Sequence, residues 1–545
     1  MISTRNNFVK NPILILLAVN ILIGLFIFRD YGLTWDEPYF YSYGDALGYA
    51  YSPTNWFSGN FDLNNSYGIS AGDHKTRGPA YLFLARNFVY GLKALGSDII
   101  PAGDSAAAWH LVNFLFFQLG IYCLYRISTR WVKPSAAFAT AVLFATQPLL
   151  WGHAFINPKD PPFLTFFLAS VCLGFEMVDR IASDAFTKKQ KLISIIIPAS
   201  ILGITTSIRV LGPLAGLLVF IYFVFSLYQN KNIKSPVSPW LPFTLYGIIA
   251  VLAMLATWPY LWENPIANFI NVFHLMSDNP TNLSVLFGGE VYRAGELPRR
   301  FLPFMLATTL TEPVWILFIT GFIVGYRKLL INKPSDQTGP QKSWVSLTLM
   351  LFWFLMLIAY VLLRKPAMYD GLRHFLFILP PVFIFISFAF ELLIEKINRM
   401  AFSHYWIHAV LLIVIIAPGV VGILQLHPYQ YAYYNSFIGG TSGAFRKYET
   451  EYWLTCYKEA VEQLNQRTSE PINLFVKREA YIAATYANDN INIIDLRDVT
   501  TSAQSGDYVL VNTRTNEDHS TMKGTPIILE IKRGNATFCI VRLVP

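Results

Sequence analysis

Two adjacent carboxylates, Asp36 and Glu37, stand in the stretch Thr34-Trp35-Asp36-Glu37-Pro38-Tyr39, just beyond the first apolar run of the chain. A carboxylate at a membrane surface can take a proton from a hydroxyl, and positive charge beside it can steady a departing anion. Cations are at hand. The stretch Arg364-Lys365-Pro366-Ala367-Met368-Tyr369-Asp370-Gly371-Leu372-Arg373-His374 sets Lys365, Arg373 and His374 against a later apolar run, and such a group at a lipid interface suits a phosphate. Lys75 and Arg77 follow His74, and Arg209 stands in a turn so tight that its charge must stay near the bilayer surface. A second acid, Asp160, lies at the mouth of another apolar run, in Asn157-Pro158-Lys159-Asp160-Pro161-Pro162.

Each of these residues also has a structural reading. Thr34-x-x-Glu37 fits a helix capping box, with Asp36 in a first turn where the helix dipole favours a negative charge. Asp160 ahead of Pro161 fits an N-cap with proline at the first helical position. Arg373, Arg209 and Lys365 could snorkel to lipid headgroups. His74, His153, His274 and His374 share no metal-ligand spacing, so no cofactor is expected, a divalent metal being the one candidate.

The elements that must carry these groups are membrane spans. The chain has 545 residues, of which 54 % are hydrophobic and only 14 % charged, against about 25 % charged in soluble domains. A hydrocarbon core about 30 Å thick asks for roughly 20 apolar residues per helical crossing. About eleven windows meet that need, at 11–28, 106–125, 135–152, 161–178, 192–208, 210–228, 240–259, 303–325, 344–363, 374–394 and 405–425. The first reads as an uncleaved span, being long and without a small-residue cleavage site.

The net charge of +8 does not indicate a nucleic-acid partner, because its residues gather in alternate short loops. Arg5 and Lys10, Arg126 and Arg130, Arg180 and Lys189, Arg327 and Lys328, Lys396 and Arg399 fall on one side, which the positive-inside rule makes cytoplasmic. Lys159, Arg209, Arg364, Lys365 and Arg373 break that bias on the other side and ask for a functional reason. An odd number of spans puts the tail outside the cytoplasm, where Cys456 and Cys539 could pair.

The expected architecture is an α-helical polytopic membrane protein with a small C-terminal extracytoplasmic α/β domain, divided as 1–425 and 426–545. Two external segments, 30–105 and 260–302, are too long for simple connectors. The first carries tyrosines at headgroup level and an interfacial helix from Ala80 bearing Arg86 and Lys93. The second, with turn residues Gly288-Gly289, reads as a mobile lid. In the tail, Lys458 to Gln466 reads as a helix and Ile472 to Val476 and Tyr508 to Val511 as strands. Pro526 to Lys532 and Thr537 to Leu543 read as a hairpin turned at Gly534-Asn535.

With these residues in view, the chain resembles the GT-C polytopic glycosyltransferases, in the branch that includes protein O-mannosyltransferases and the lipid A aminoarabinose transferase. The likeness covers about residues 11 to 394 and is carried by Asp36-Glu37, by Asp160, and by Arg373-His374-Phe375-Leu376 leading to Leu379-Pro380-Pro381. The resemblance implies a sugar donor on a polyprenyl phosphate, an extracytoplasmic acceptor (protein, lipid or glycan) and a cell-membrane location. It makes Asp36 the catalytic base, with Glu37 and Asp160 beside it. Arg373, Lys75, Arg77, Arg209, Lys365 and His374 become the donor-phosphate group, although His74 to Arg77 only loosely match the family's His-Pro-Pro segment. The tail from Tyr434-Asn435-Ser436 to Tyr452-Trp453 is similar to that of a bacterial and archaeal subgroup. The alternatives are a transporter or flippase of lipid-linked sugars, which would place charges within spans near the midplane, and a non-catalytic scaffold acting through its tail.

Overall fold

The computed structural model describes residues 11–70, 74–94, 105–182, 188–229, 240–278, 281–331, 340–400, 405–498 and 502–545. Arg5 and Lys10 lie outside them. All eleven windows fall on helix. Among the described residues six helices are long and apolar enough to cross a membrane: Ala106–Ser128, Asp160–Ile181, Pro313–Leu330, Trp344–Arg364, Arg373–Asn398 and Trp406–Leu426. Pro12–Ile27, Leu192–Ile208, Pro213–Tyr228 and Trp240–Ala256 are shorter apolar helices. The chain is a multi-pass membrane protein.

Two windows are broken: 303–325 is divided between Phe301–Thr309 and Pro313–Ile331, and 135–152 is bent. Pro134–Ala145 and Pro148–Ile156 meet at a bend of 65°. Pro148 brings no N–H to the ladder, and Gln147 satisfies the opened backbone. Its Nε2 donates to Leu143 O (2.9 Å) and Thr311 Oγ1 (3.0 Å), while its Oε1 accepts from Thr311 N–H at 3.0 Å. Such substitution is required where water does not reach. The bend aims the second half-helix so that Asn157-Pro158-Lys159 ends beside Asp36's loop.

The segment after the first apolar helix folds into the helix Glu37–Ala50, a short helix Pro53–Trp56, two 3₁₀ turns and, where an interfacial helix is expected, the helix Ala80–Ala94. The two longer helices are linked by Arg86 and Asp45, 3.7 Å apart, and by Tyr90 Oη donating to Asp45 at 2.8 Å. Ion pairs form two layers. Arg126–Glu176, Arg130–Asp179, Lys328–Glu391 and Lys133–Glu395 tie helix ends at one end of the bundle. Asp36–Arg373 and Asp160–Arg209 belong to the opposite end.

In the second external segment a helix, Pro265–Asp278, precedes the hairpin β1 (Ser284–Phe287) and β2 (Glu290–Arg293). It turns at Gly288-Gly289, whose φ values of 68° and 87° suit glycine. The hairpin is tied down rather than free: Phe287 bridges to Tyr448, and Gly289 N–H donates to Lys447 O at 2.9 Å. It is a strap to the tail instead of the expected lid.

The tail holds β3 (Ile472–Val476), β4 (Ile491–Asp495), β5 (Tyr508–Asn512), β6 (Ile527–Arg533) and β7 (Ala536–Leu543), in the order β4-β3-β5-β7-β6. β3 pairs in parallel with β4 and β5; β7 pairs antiparallel with β5 and β6. The helix Cys456–Arg467 packs on it. The α/β character is as expected, with β4 added. Cys456 and Cys539 are buried free thiols, not a disulfide. Asn435 fastens the start of the tail to the helical bundle, donating from Nδ2 to Ala307 O (2.8 Å) and Leu310 O (2.9 Å).

Candidate active site

Asp36 precedes the first residue of helix Glu37–Ala50. Of its side chain 29 % is exposed, against 4 % for Asp160 and 0 % for Asp370. Among these three acids it is the one an incoming molecule can reach. Its Oδ2 accepts from Arg373 Nη1 at 2.9 Å, and Arg373 Nη2 meets Asp370 Oδ2 at 2.8 Å. The same guanidinium lies over the rings of Tyr369 (5.2 Å) and Trp453 (5.1 Å). Two carboxylates and two aromatic faces therefore fix the planar fork, which a lysine could not imitate. Asp370 takes a left-handed φ of 55° and Gly371 one of 65°. Aspartate tolerates that region better than most residues, and its ion pairs hold it there. Burial pushes the Asp36 carboxyl up, yet Arg373 and Arg77 outweigh it and hold the group below the ordinary aspartate range.

Asp160 opens its helix, but it is not the cap. Asn157 Oδ1 accepts the N–H groups of Lys159 (3.1 Å) and Asp160 (2.9 Å). The Asp160 carboxylate is thereby left for Asn157 Nδ2 (2.8 Å) and for a direct ion pair with Arg209. Between the two acids lies a group of cations. Arg77 and Lys159 stand over the same Phe40 ring, at 6.0 Å and 5.6 Å. Arg209 is within electrostatic reach of Arg373 and Arg77. Neither Arg77 nor Lys159 makes an ion pair among the described residues. Burial first, then Arg77 and Arg209, pushes the Lys159 ammonium well below the usual lysine range, Asp36 only partly offsetting them. His74, edge-on to Phe40 at 5.0 Å, is pushed down to about 3 by burial and by Arg77 and Lys159, which keeps it neutral. A group of like charges destabilising one another is an arrangement that an anion would relieve.

The structure thus brings together Asp36, Arg77, Asp160, Arg209, Arg373 and His374, the last edge-on to Tyr369 at 4.6 Å and within reach of all the cations named. It does not bring three others. Glu37 is fully buried and turned away: Oε2 accepts Thr34 N–H at 2.6 Å, and Oε1 meets Tyr41 Oη and His110 Nε2, the latter at 3.0 Å. It makes one of the two bonds of the expected capping box, the helix start having no side-chain cap of its own, and is no part of an acid pair. Lys75 gives its carbonyl to Trp258 Nε1 (3.3 Å) and makes no ion pair with the cluster. Lys365 is exposed and lines a separate cavity of about 1030 Å³ with Arg293, Glu296 and Arg364. Sequence reasoning left out Lys159, His74 and Asp370. Lys159's place among the cations that broke the charge bias was the available signal. Among the described residues no three His, Cys, Asp or Glu side chains converge as metal ligands.

The bundle of apolar helices with a small mixed sheet at its C-terminal end is similar in fold to a solved membrane oligosaccharyltransferase. Superposition on the oligosaccharyltransferase of Archaeoglobus fulgidus in its apo form gives a TM-score of 0.50, covering 92 % of this chain and 69 % of that one at 11 % identity. ArnT from Cupriavidus metallidurans in the apo state matches over 97 % of both chains, with a TM-score of 0.49 and 11 % identity. No protein-family model matches the sequence, and no curated protein matches it.

Proposed function

We propose that this protein is a membrane glycosyltransferase that moves one sugar from a polyprenyl-phosphate carrier to an acceptor hydroxyl on a protein, lipid or glycan outside the cytoplasm. Its N-terminus lies in the cytoplasm, the active site on the opposite face of the cell membrane, and the unit from residue 426 beside it. The observation that carries this reading is one partly open carboxylate, Asp36, among four cations of which two, Arg77 and Lys159, make no direct ion pair among the described residues. The fold agrees with such chemistry.

In the reaction, the acceptor O–H gives its proton to Asp36 while its oxygen bonds to the sugar's anomeric carbon. The bond from that carbon to the phosphate oxygen breaks, and its electron pair leaves with the phosphate. Arg77, Lys159, Arg209 and Arg373 face the charge that develops there, with His374 beside them. A single displacement of this kind inverts the anomeric centre. Arg373 has two claimants. In the donor-free protein it holds Asp36, and a bound phosphate would draw on the same guanidinium, loosening that hold and making Asp36 a better base as the donor arrives.

The test is to incubate membranes containing the protein with a panel of polyprenyl-phosphate sugars and identify products by mass. A transfer product is expected with one of them, and Asp36→Asn should lower its rate by about 10²- to 10⁴-fold while carrier binding persists. No product from any lipid-phosphate sugar would remove the reading; normal transfer by Asp36→Asn would remove the base.

A further inference from the structure

Arg514 comes from the turn after β5, far along the chain from Asp36, yet it is 1 % exposed and lies inside the cluster described above. Its Nη1 is 2.9 Å from Asp370 Oδ1 and donates to Tyr452 O at 2.7 Å, and its Nη2 is 3.6 Å from Glu449 Oε1. Asp370 therefore sits between two guanidinium groups, Arg514 on one oxygen and Arg373 on the other. Four charges follow in line: Arg514, Asp370, Arg373, Asp36. Arg514 also lies over the indole of Trp35, the residue before Asp36, at 4.6 Å. Two more tail residues hold the same loop: Tyr481 Oη donates to Trp35 O and Leu33 N–H donates to Tyr486 Oη, both at 2.8 Å.

From this geometry we infer that the C-terminal unit completes the active centre: Arg514 is a positioning residue that divides Asp370 with Arg373, and so sets how strongly Arg373 holds Asp36. The inference rests on the role given to Asp36 above. With Arg514 in place, part of the Asp370 charge is answered from the tail and Arg373 keeps one nitrogen for Asp36. Without it, Asp370 has only Arg373, and the fork is drawn toward the buried acid. Removing Asp370 instead releases Arg373 to Asp36. The two losses act on Asp36 with opposite sign, which general loosening of the structure does not predict. The other groups bearing on Asp36 are Arg77, His74, Lys159 and, from the tail, Tyr481; none of them touches Arg514.

The experiment reads Asp36 directly in the ligand-free, full-length protein in membranes, as the pH midpoint for carbodiimide labelling mapped by mass. Arg514→Ala should raise that midpoint by about one unit, Arg514→Lys by less, and Asp370→Asn should lower it. Transfer from the lipid-phosphate sugar should fall with Arg514→Ala, because a fork drawn toward Asp370 is also withdrawn from the donor phosphate, and recover in part with Arg514→Lys. Arg514→Lys and Asp370→Asn, which keep charge or volume, carry the test if Arg514→Ala does not fold. Midpoints unmoved, or moved in one direction by both kinds of change, would overturn the relay even in an active enzyme. Opposed shifts in a protein that transfers no sugar would leave the relay standing and remove the proposed activity.

Discussion

Lys159 is the residue whose chemistry the fold changes most. Its ammonium is destabilised by burial and by Arg77, Arg209 and Arg373, and an arriving phosphate would reverse that. Binding of a polyprenyl phosphate should therefore take up a proton, and affinity should weaken as pH rises through Lys159's lowered range; calorimetry in two buffers of different ionisation enthalpy reads the proton, and Lys159→Met should abolish its uptake. Glu37 makes the contrasting case. Its carboxylate serves Thr34, Tyr41 and His110 inside the core, so Glu37→Gln should lower stability by about 1 to 3 kcal/mol and leave the transfer rate per folded molecule near normal. A loss of rate without loss of melting temperature would return Glu37 to the chemistry. At this scale Asp36, Asp160 and Arg373 were legible because a charge at the end of an apolar run needs a partner or a purpose. Lys75 and Lys365 carry the same charge as Arg77 and Arg373 in the same stretches, and only side-chain direction, which residue type does not encode, separates them.

At the scale of elements, the spans were legible because lipid imposes one length and one composition on every crossing. The bend after Ala145 was not: Pro148 signalled an interruption, but the rescue of its backbone by Thr311, far along the chain, could not be read. Nor could the cap at Asp160, where two good cap residues stand three apart and Asn157 takes the task. β4 was overlooked although Ile491-Asn492-Ile493 alternates as a strand should. The junction between the first external loop and the tail has its own test. A Cβ on Gly32 would stand 2.2 Å from Thr455 O, in backbone that cannot swing away. Gly32→Ala should push the tail off the loop and appear as faster proteolysis near residue 455 together with reduced transfer; wild-type protection would mean that the two do not press together.

The main core runs from the helical bundle into the sheet, apart from a small cluster of Phe475, Val509, Val511 and Ile540, and the electrostatics follow suit. Glu449 lies fully buried in that core; burial, opposed by Arg514 but aided by Asp370, raises its carboxyl to about 7. A group whose pKa is raised on folding adds stability in its protonated form. That contribution is complete below about 4.5 and is lost as pH rises toward 7. Melting temperature should accordingly fall across that window, and Glu449→Gln should flatten the fall; an identical profile in the variant would show that Glu449 does not carry the dependence.

Trp35 and Tyr481 are separated by 446 residues. A ribosome adding about 5 to 20 residues per second takes on the order of 20 to 90 seconds to cover that stretch. For that interval the newly made first loop waits in the membrane with Asp36 and Arg77 made but without the tail residues that hold it. On the proposed function, a premature stop between Leu426 and Arg514 should leave the bundle without its completed centre and without transfer.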